Sequence, residues 1–278
     1  MKILFVGVFT EGSTNISQRD CLIKLGHNVE EFSYRSINNF NIVLQEKSGY
    51  DIILIAKGNG ISKYTMKTLK QNNKKIVYWF PDPAQTFTME MAEKTMLSDV
   101  AFFDKKNSLE KAKLVNKDCR YVCEGYDESA DIVQNVKKQY DISFIGNIYG
   151  KRSSVLDRLE NVKIISSAYG LQHSIEVGKT KINLNICTDN CASDRIYKVL
   201  AAGGFLLTDD WHGRELTGLV DGEDLVIYKD VEDLQEKIEF YLSRSYTRDK
   251  IASRGLSKVK DLTRMEWAKN ITNSFTMS

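Results

Sequence analysis

The sequence predicts an α/β fold made of two successive units of similar size, each a sheet with helices between its strands. Three observations predict it. Short β-branched or aromatic runs alternate with stretches of helical period over most of the 278 residues, the pattern of strand–helix–strand connections. The segment YDESADIVQNVKKQ (126–139) is polar and charged with few apolar anchors, as linkers are. Directly after it, DISFIGN (141–147) restarts the pattern of the N-terminus: a buried strand, a glycine, a polar loop, then a helix.

In the first unit the strand candidates are ILFVGV (3–8), HNVEEFSY (27–34), DIILIA (51–56), KIVYWF (75–80), VAFF (100–103) and RYVC (120–123). Helical patterns fall at 14–25, 61–71 and 105–116. The second unit offers DISFIG (141–146), VKIISS (162–167), KINLNIC (181–187), GFLLTD (204–209) and DLVIY (224–228), with helices at 151–160, 194–202 and 231–243. The tail, 247–275, reads as helix with almost no strand signal. These elements give domains at 1–138 and 139–260, with 261–278 as a final helix.

Composition is that of a soluble globular chain, with 42% apolar and 27% charged residues. Thirty-nine basic and 37 acidic residues leave a net charge of +2. That balance argues against a general affinity for nucleic acid or anionic membrane and leaves room for a local basic pocket. The N-terminal MKILFVGVFTEGST lacks the longer apolar region of a signal peptide, and no apolar run reaches the roughly 20 residues of a membrane span. Five cysteines form an odd set in a chain too large to need stapling, so the expected compartment is the cytoplasm. Cys119, Cys123, Cys187 and Cys191 are read as reduced thiols rather than zinc ligands, since zinc usually takes C-x2-C on turns.

Ligands of parallel sheets bind outside the carboxyl ends of the strands, where loops enter helix N-termini. KINLNIC ends there. The loop TDNCAS follows, Ser193 or Asp194 is a good N-cap, and Arg195 falls in the first turn, expected at the surface. Gly203 and Gly204 stop the helix at its far end. Free N–H groups, a positive helix end and an arginine make a site for a phosphate or diphosphate. An ordinary capped helix with a surface arginine is the other reading.

Other motifs fail. GKT (178–180) lacks the P-loop glycine five residues earlier, where His173 stands. No dinucleotide fingerprint follows the first strand, and Asp-x-Asp, Gly-x-Ser-x-Gly and His-x3-His are absent. His27 is read as structural, while His173 and His212 are placed in loops. The only two prolines, Pro81 and Pro83, bracket Asp82 after a strong strand, which makes either a rigid turn or a carboxylate held at a strand's ligand end.

DISFIGN, KINLNIC, SDRIYKVLAAGGFLLTDD, VDGEDLVIYKDVEDLQEKIEFYL and RDKIASRGL together resemble the bacterial spore-maturation (CgeB-like) glycosyltransferases, relatives of the group 1 glycosyltransferases. The resemblance is close over the second half and thinner in the first, where YWFPDPA carries it. It implies two Rossmann-like domains facing a cleft (the GT-B fold), with a final helix crossing back to the first domain. It also implies a nucleotide-diphosphate sugar as donor, no further cofactor or metal, and a hydroxyl-bearing acceptor. Gly146 and Asn147 would lie under the donor diphosphate. Arg152, Lys181 and Arg195 would be its charge partners, with Ser193, Asp194, Lys198 and Asp209 on the donor side and Asp210 just past the strand. Gly12, Ser13 and Asp82 would face the acceptor, and Asp82 would orient it or act as base. The wider group carries two glutamates eight positions apart where this chain has Asn190 and Lys198.

The expected function is therefore a metal-independent, retaining glycosyltransferase, moving a hexosyl or pentosyl group. A non-catalytic nucleotide-sugar-binding protein, or a transferase acting on a modified nucleic-acid base, are the alternatives. Sequence does not set the oligomeric state.

Overall fold

The computed structural model describes residues 1–274 and divides into two compact units. The first comprises Met1–Glu124 together with the chain from Arg264 onward. It alternates β1 (Lys2–Gly7), α1 (Thr14–Lys24), β2 (Asn28–Ser33), α2 (Phe40–Gln45), β3 (Ile52–Ala56) and α3 (Lys63–Asn72). β4 (Ile76–Phe80), α4 (Met89–Leu97), β5 (Val100–Phe103), α5 (Lys106–Lys113) and β6 (Cys119–Tyr121) complete it. The strands lie in the order β2-β1-β3-β4-β5-β6, all parallel.

Burial on both faces explains why these strands read as unbroken apolar runs. Val6, Ile55, Tyr78, Phe80 and Phe103 fill one face. Phe5, Leu54, Trp79 and Phe102 fill the other. There they meet Trp267, Ala268 and Ile271 of α11 (Arg264–Asn273), which packs on α1. Trp267 lies 5.7 Å from Trp79 and 6.3 Å from Phe5, centroid to centroid. The last four residues of the expected final helix segment lie outside the described residues.

The second unit is Gly125–Thr263. It contains β7 (Tyr140–Ile145), α6 (Lys151–Leu156), β8 (Val162–Ile165), α7 (Leu171–Lys179), β9 (Thr180–Asn185) and α8 (Asp194–Ala201). β10 (Leu206–Asp209), β11 (Val226–Tyr228), α9 (Val231–Leu242) and α10 (Ser245–Lys258) follow. Its sheet, also parallel, has the order β11-β10-β9-β7-β8. β7 thus has β8 on one side and β9 on the other, which opens a crevice at the carboxyl ends where strand order reverses.

The division expected near residue 138 falls at Glu124/Gly125 instead. The polar segment 126–139 is short of apolar residues, yet it is tied to the second unit. Val136 and Val133 lie against Gly178 and Gly203, where the missing side chains make room. Ser174 donates to the Ala130 carbonyl at 2.9 Å, and Gln139 N–H to Lys179 at 2.7 Å. It is an arm of the second unit, not a free linker.

Candidate functional site

In the second unit β7 ends at Ile145 and β9 at Asn185, the two sides of the crevice. Arg195, in the first turn of α8, spans them: Nε donates to the Ile145 carbonyl and Nη1 to Asn185 Oδ1 at 2.8 Å. Arg152, on α6, spans the same gap from other atoms. Its Nε donates to the Ile186 carbonyl at 3.1 Å and its Nη1 to the Asn147 carbonyl at 3.0 Å. Both guanidinium groups sit over the ring of Phe144, at 4.8 Å for Arg195 and 5.6 Å for Arg152. Among the described residues no carboxylate forms an ion pair with either arginine. Burial, and then the charge of Arg152, pull the Arg195 guanidinium down to about 10.

Two neighbouring cations offset only by Asp194, which is itself paired with Lys198, carry an electrostatic cost that a bound anion relieves. Among the described residues neither Nη2 donates to a protein acceptor. Gly146 makes the closeness possible: it adopts φ +143°, and a Cβ there would fall 2.2 Å from Arg195 Nη2. Ser193 is the N-cap residue of α8, but its hydroxyl turns to Asn185 Oδ1 at 3.2 Å rather than capping. In the first turn Ile196 N–H is taken by the Ser193 carbonyl at 3.1 Å. At the opposite end Gly203, with φ +71°, closes the helix.

Lys198 sits one turn on and pairs with Asp194 at 2.7 Å. Asp209, at the end of β10, accepts from Cys187 N–H at 2.7 Å and from Lys151 at 2.6 Å. Beside it opens a cavity of about 550 Å³ whose walls include Lys151, Asn190, Asp209, Asp210, Arg214 and Tyr228. Gly146, Asn147, Arg152, Ser193, Asp194, Arg195, Lys198 and Asp209 thus gather at one end of this sheet.

Lys181 does not. It stands at the amino end of β9 and pairs with Asp141 at 2.6 Å, because β9 begins at Thr180 and every parallel strand has a single ligand end. The expected surface position of Arg195 is corrected as well: the residue is half-buried and hydrogen-bonded to two strands. Arg152 is only 3% exposed, so it is a structural brace as well as a charge. His173 is not in a loop but in α7, 5% exposed, and its ring is driven down to about 3 by burial and then by Lys198.

In the first unit Gly12 and Ser13 follow β1, where the Ser13 hydroxyl donates to the Val8 carbonyl at 2.5 Å and accepts from Asn15 N–H. Asp82 follows β4 and takes a 2.8 Å bond from Lys57, which follows β3. All lie at the carboxyl ends of that sheet.

Asn185 was missed by sequence reasoning and is the hub of the second site. It binds Arg195, Ser193 and, through Nδ2, Thr208 Oγ1 at 2.8 Å. An amide in the middle of the apolar run KINLNIC was the signal available. Lys151, beside the expected Arg152, was missed with it.

A helix entered from a switch point, an arginine couple in no ion pair among the described residues and a glycine with no room for a side chain form an α/β site whose chemistry suits an anion. A family model described as glycosyl transferase-like matches residues 127–273, more than half of the chain, and the chain belongs to that family. Solved structures share the fold over the whole chain. Anabaena Alr3699/HepE in complex with UDP and glucose superposes with a TM-score of 0.70 at 11% identity, covering 100% of both chains. A glycosyltransferase from Rickettsia africae ESF-5 gives 0.68 at 14% identity, over 98% of both. The apo form of the lipopolysaccharide outer core galactosyltransferase WaaB gives 0.64 at 12%, over 99% of both. The two parallel sheets with flanking helices are those of GT-B glycosyltransferases. No curated protein matches the sequence. Among the described residues no helix is long and apolar enough to cross a membrane.

Proposed function

We propose that the chain is a metal-independent glycosyltransferase of the spore-maturation type, moving a hexosyl or pentosyl group from a nucleotide-diphosphate sugar to a hydroxyl-bearing acceptor. The observation that carries this reading is the Arg152–Arg195 couple astride the switch-point crevice. In the transfer the acceptor oxygen bonds to the anomeric carbon as the bond from that carbon to the diphosphate breaks. The electron pair leaves with the diphosphate, where charge grows. Two arginine Nη2 groups are fixed in advance to receive that charge.

Retention follows the group 1 resemblance: a diphosphate oxygen takes the acceptor proton, and no strong base is needed. The cavity at Asp209 suits the glycosyl moiety, and Asp82 orients the acceptor. UDP and UDP-glucose in the Alr3699/HepE complexes support a uridine donor. Five cysteines, all buried and unbridged, fit a reducing compartment.

Calorimetry of UDP and UDP-glucose in EDTA tests the proposal, together with UDP release during turnover. Binding and release that survive chelation are expected. A chain that binds no nucleoside diphosphate overturns it, and one that needs manganese or magnesium overturns the metal-independent form.

A further inference from the structure

Among the described residues six other than glycine adopt positive φ: Asn39, Lys57, Asn161, Ser167, Asp189 and Asn190. Asparagine and aspartate tolerate that conformation because their short polar side chains bond locally. Lys57, at φ +59°, is the one long side chain in the set. Its backbone is pinned there: N–H donates to the Trp79 carbonyl at 2.9 Å, and its own carbonyl accepts from Tyr78 Oη at 3.1 Å. Glycine would take this position without strain. The ion pair it makes with Asp82 is about one-third exposed on each side, at 38% and 33%, where such pairs add little to stability. Folding does not account for a lysine here.

The partner is held with equal care. Pro81 and Pro83 fix the chain on both sides of Asp82, and Ser108 Oγ donates to its carbonyl at 2.8 Å. Asp82 Oδ1 receives Lys57; Oδ2 accepts no hydrogen bond among the described residues. β3 and β4 are neighbours in the sheet, so a fixed carboxylate oxygen and a fixed ammonium stand side by side at its ligand end. The ammonium has three donors, of which Asp82 takes one.

We propose that Lys57 and Asp82 together bind the acceptor through two adjacent hydroxyls, one donating to Asp82 Oδ2 and its neighbour accepting from Lys57 Nζ. This rests on the glycosyltransferase reading and names its acceptor class: a carbohydrate with a vicinal diol, rather than a serine, a lipid alcohol or a modified base. Lys57 is both a contact and a positioning residue for Asp82.

Saturation-transfer NMR tests this with methyl α-glucoside, methyl α-mannoside and methyl α-galactoside, and with N-acetylserinamide as a single-hydroxyl control. The full chain should saturate at least one glycoside and leave the serine amide untouched. Lys57→Gly should weaken glycoside binding by about tenfold, the scale of one charge-assisted hydrogen bond, without lowering the melting temperature. Lys57→Arg should recover part of the binding, and Asp82→Asn should lose it. No glycoside signal in the wild type overturns the inference, as does equal signal across wild type, Lys57→Gly and Asp82→Asn. UDP calorimetry on the same preparations separates the two readings. UDP binding with indifferent glycosides overturns this inference alone, whereas absence of UDP binding overturns the transferase reading.

Discussion

The guanidinium of Arg195 lies so near Gly146 that a Cβ on that residue would fall 2.2 Å from Nη2 and 3.1 Å from Cζ. No small adjustment accommodates both, because Arg195 is tied to the ends of two strands. Gly146→Ala is therefore expected to push the guanidinium from the crevice and to cost about 1–3 kcal/mol of stability through the φ it must hold. UDP affinity should fall with it. A double-mutant cycle with Arg195→Ala checks the cause: once the arginine is gone, the alanine should have little further effect on UDP affinity.

Arg195→Ala is expected to weaken UDP binding by about 2 kcal/mol, roughly thirtyfold. Stability should fall too, by about 1–2 kcal/mol, because the Ile145 carbonyl and Asn185 Oδ1 lose a donor in a half-buried place. Denaturant melts alongside calorimetry separate the two losses. Unaltered UDP affinity would show that the anion sits elsewhere.

His173 gives the chain a sensitivity to acid. Its folded value is about 3 against an ordinary 6.5, so the unfolded chain binds the proton more readily. Stability then rises with pH across the window between these values and is lost as pH falls through it. From about pH 7 to about pH 5 the loss should be roughly 2 kcal/mol. Urea melts of wild type and His173→Gln across that range should differ in slope, with the variant flatter. Parallel slopes would mean that the ring is not held neutral.

Lys198 pairs with Asp194 within α8, at 2.7 Å, on the helix face that leads to Arg195. Lys198→Ala should lower UDP affinity by releasing the Asp194 carboxylate toward the anion site. Lys198→Glu should lower it further, by about 1–2 kcal/mol in all, by adding a second negative charge. Equal affinities for the three proteins would make Lys198 a surface residue only.

All eleven strands among the described residues were legible in the sequence, within a residue or two at most ends. Fully buried parallel strands leave an unbroken apolar run, as in DIILIA and KIVYWF, that no other element imitates at that length. The helices α2, α4 and α7 were not legible. α2 has only six residues, and of these only Leu44 is buried. α4 buries a lysine and a threonine beside Met91, which blurs its apolar stripe. α7 buries His173, Ser174, Glu176 and Gly178 along with Val177.

Gly146, Asp209 and Asp82 lie at or just past the carboxyl end of a strand, a position that the strand's end alone makes legible. Lys181 was misplaced although it opens the run KINLNIC, a position that already puts it at the amino end; the family resemblance, not the strand, placed it at the donor. The depth of Arg195 was hidden for another reason. It depends on Phe144 and Asn185, residues 51 and 10 positions away, and only the folded sheet brings them together.

The first unit is not continuous in sequence: Trp267, Ala268 and Ile271 belong to a core otherwise built from residues before Glu124. A ribosome releases the chain from its N-terminus, so Phe5 and Trp79 must wait for the whole of Gly125–Thr263 to be synthesised before their last partners emerge. The second unit waits for nothing, and it can fold first while the earlier sheet stays unfinished. Its two ends meet, with Tyr126 bridged to Thr263 and Gly125 pressed on Leu262 and Thr263. Order of completion therefore runs opposite to order of translation, and a stop codon just before Arg264 would spare the arginine couple while uncovering part of one face of the other unit's sheet.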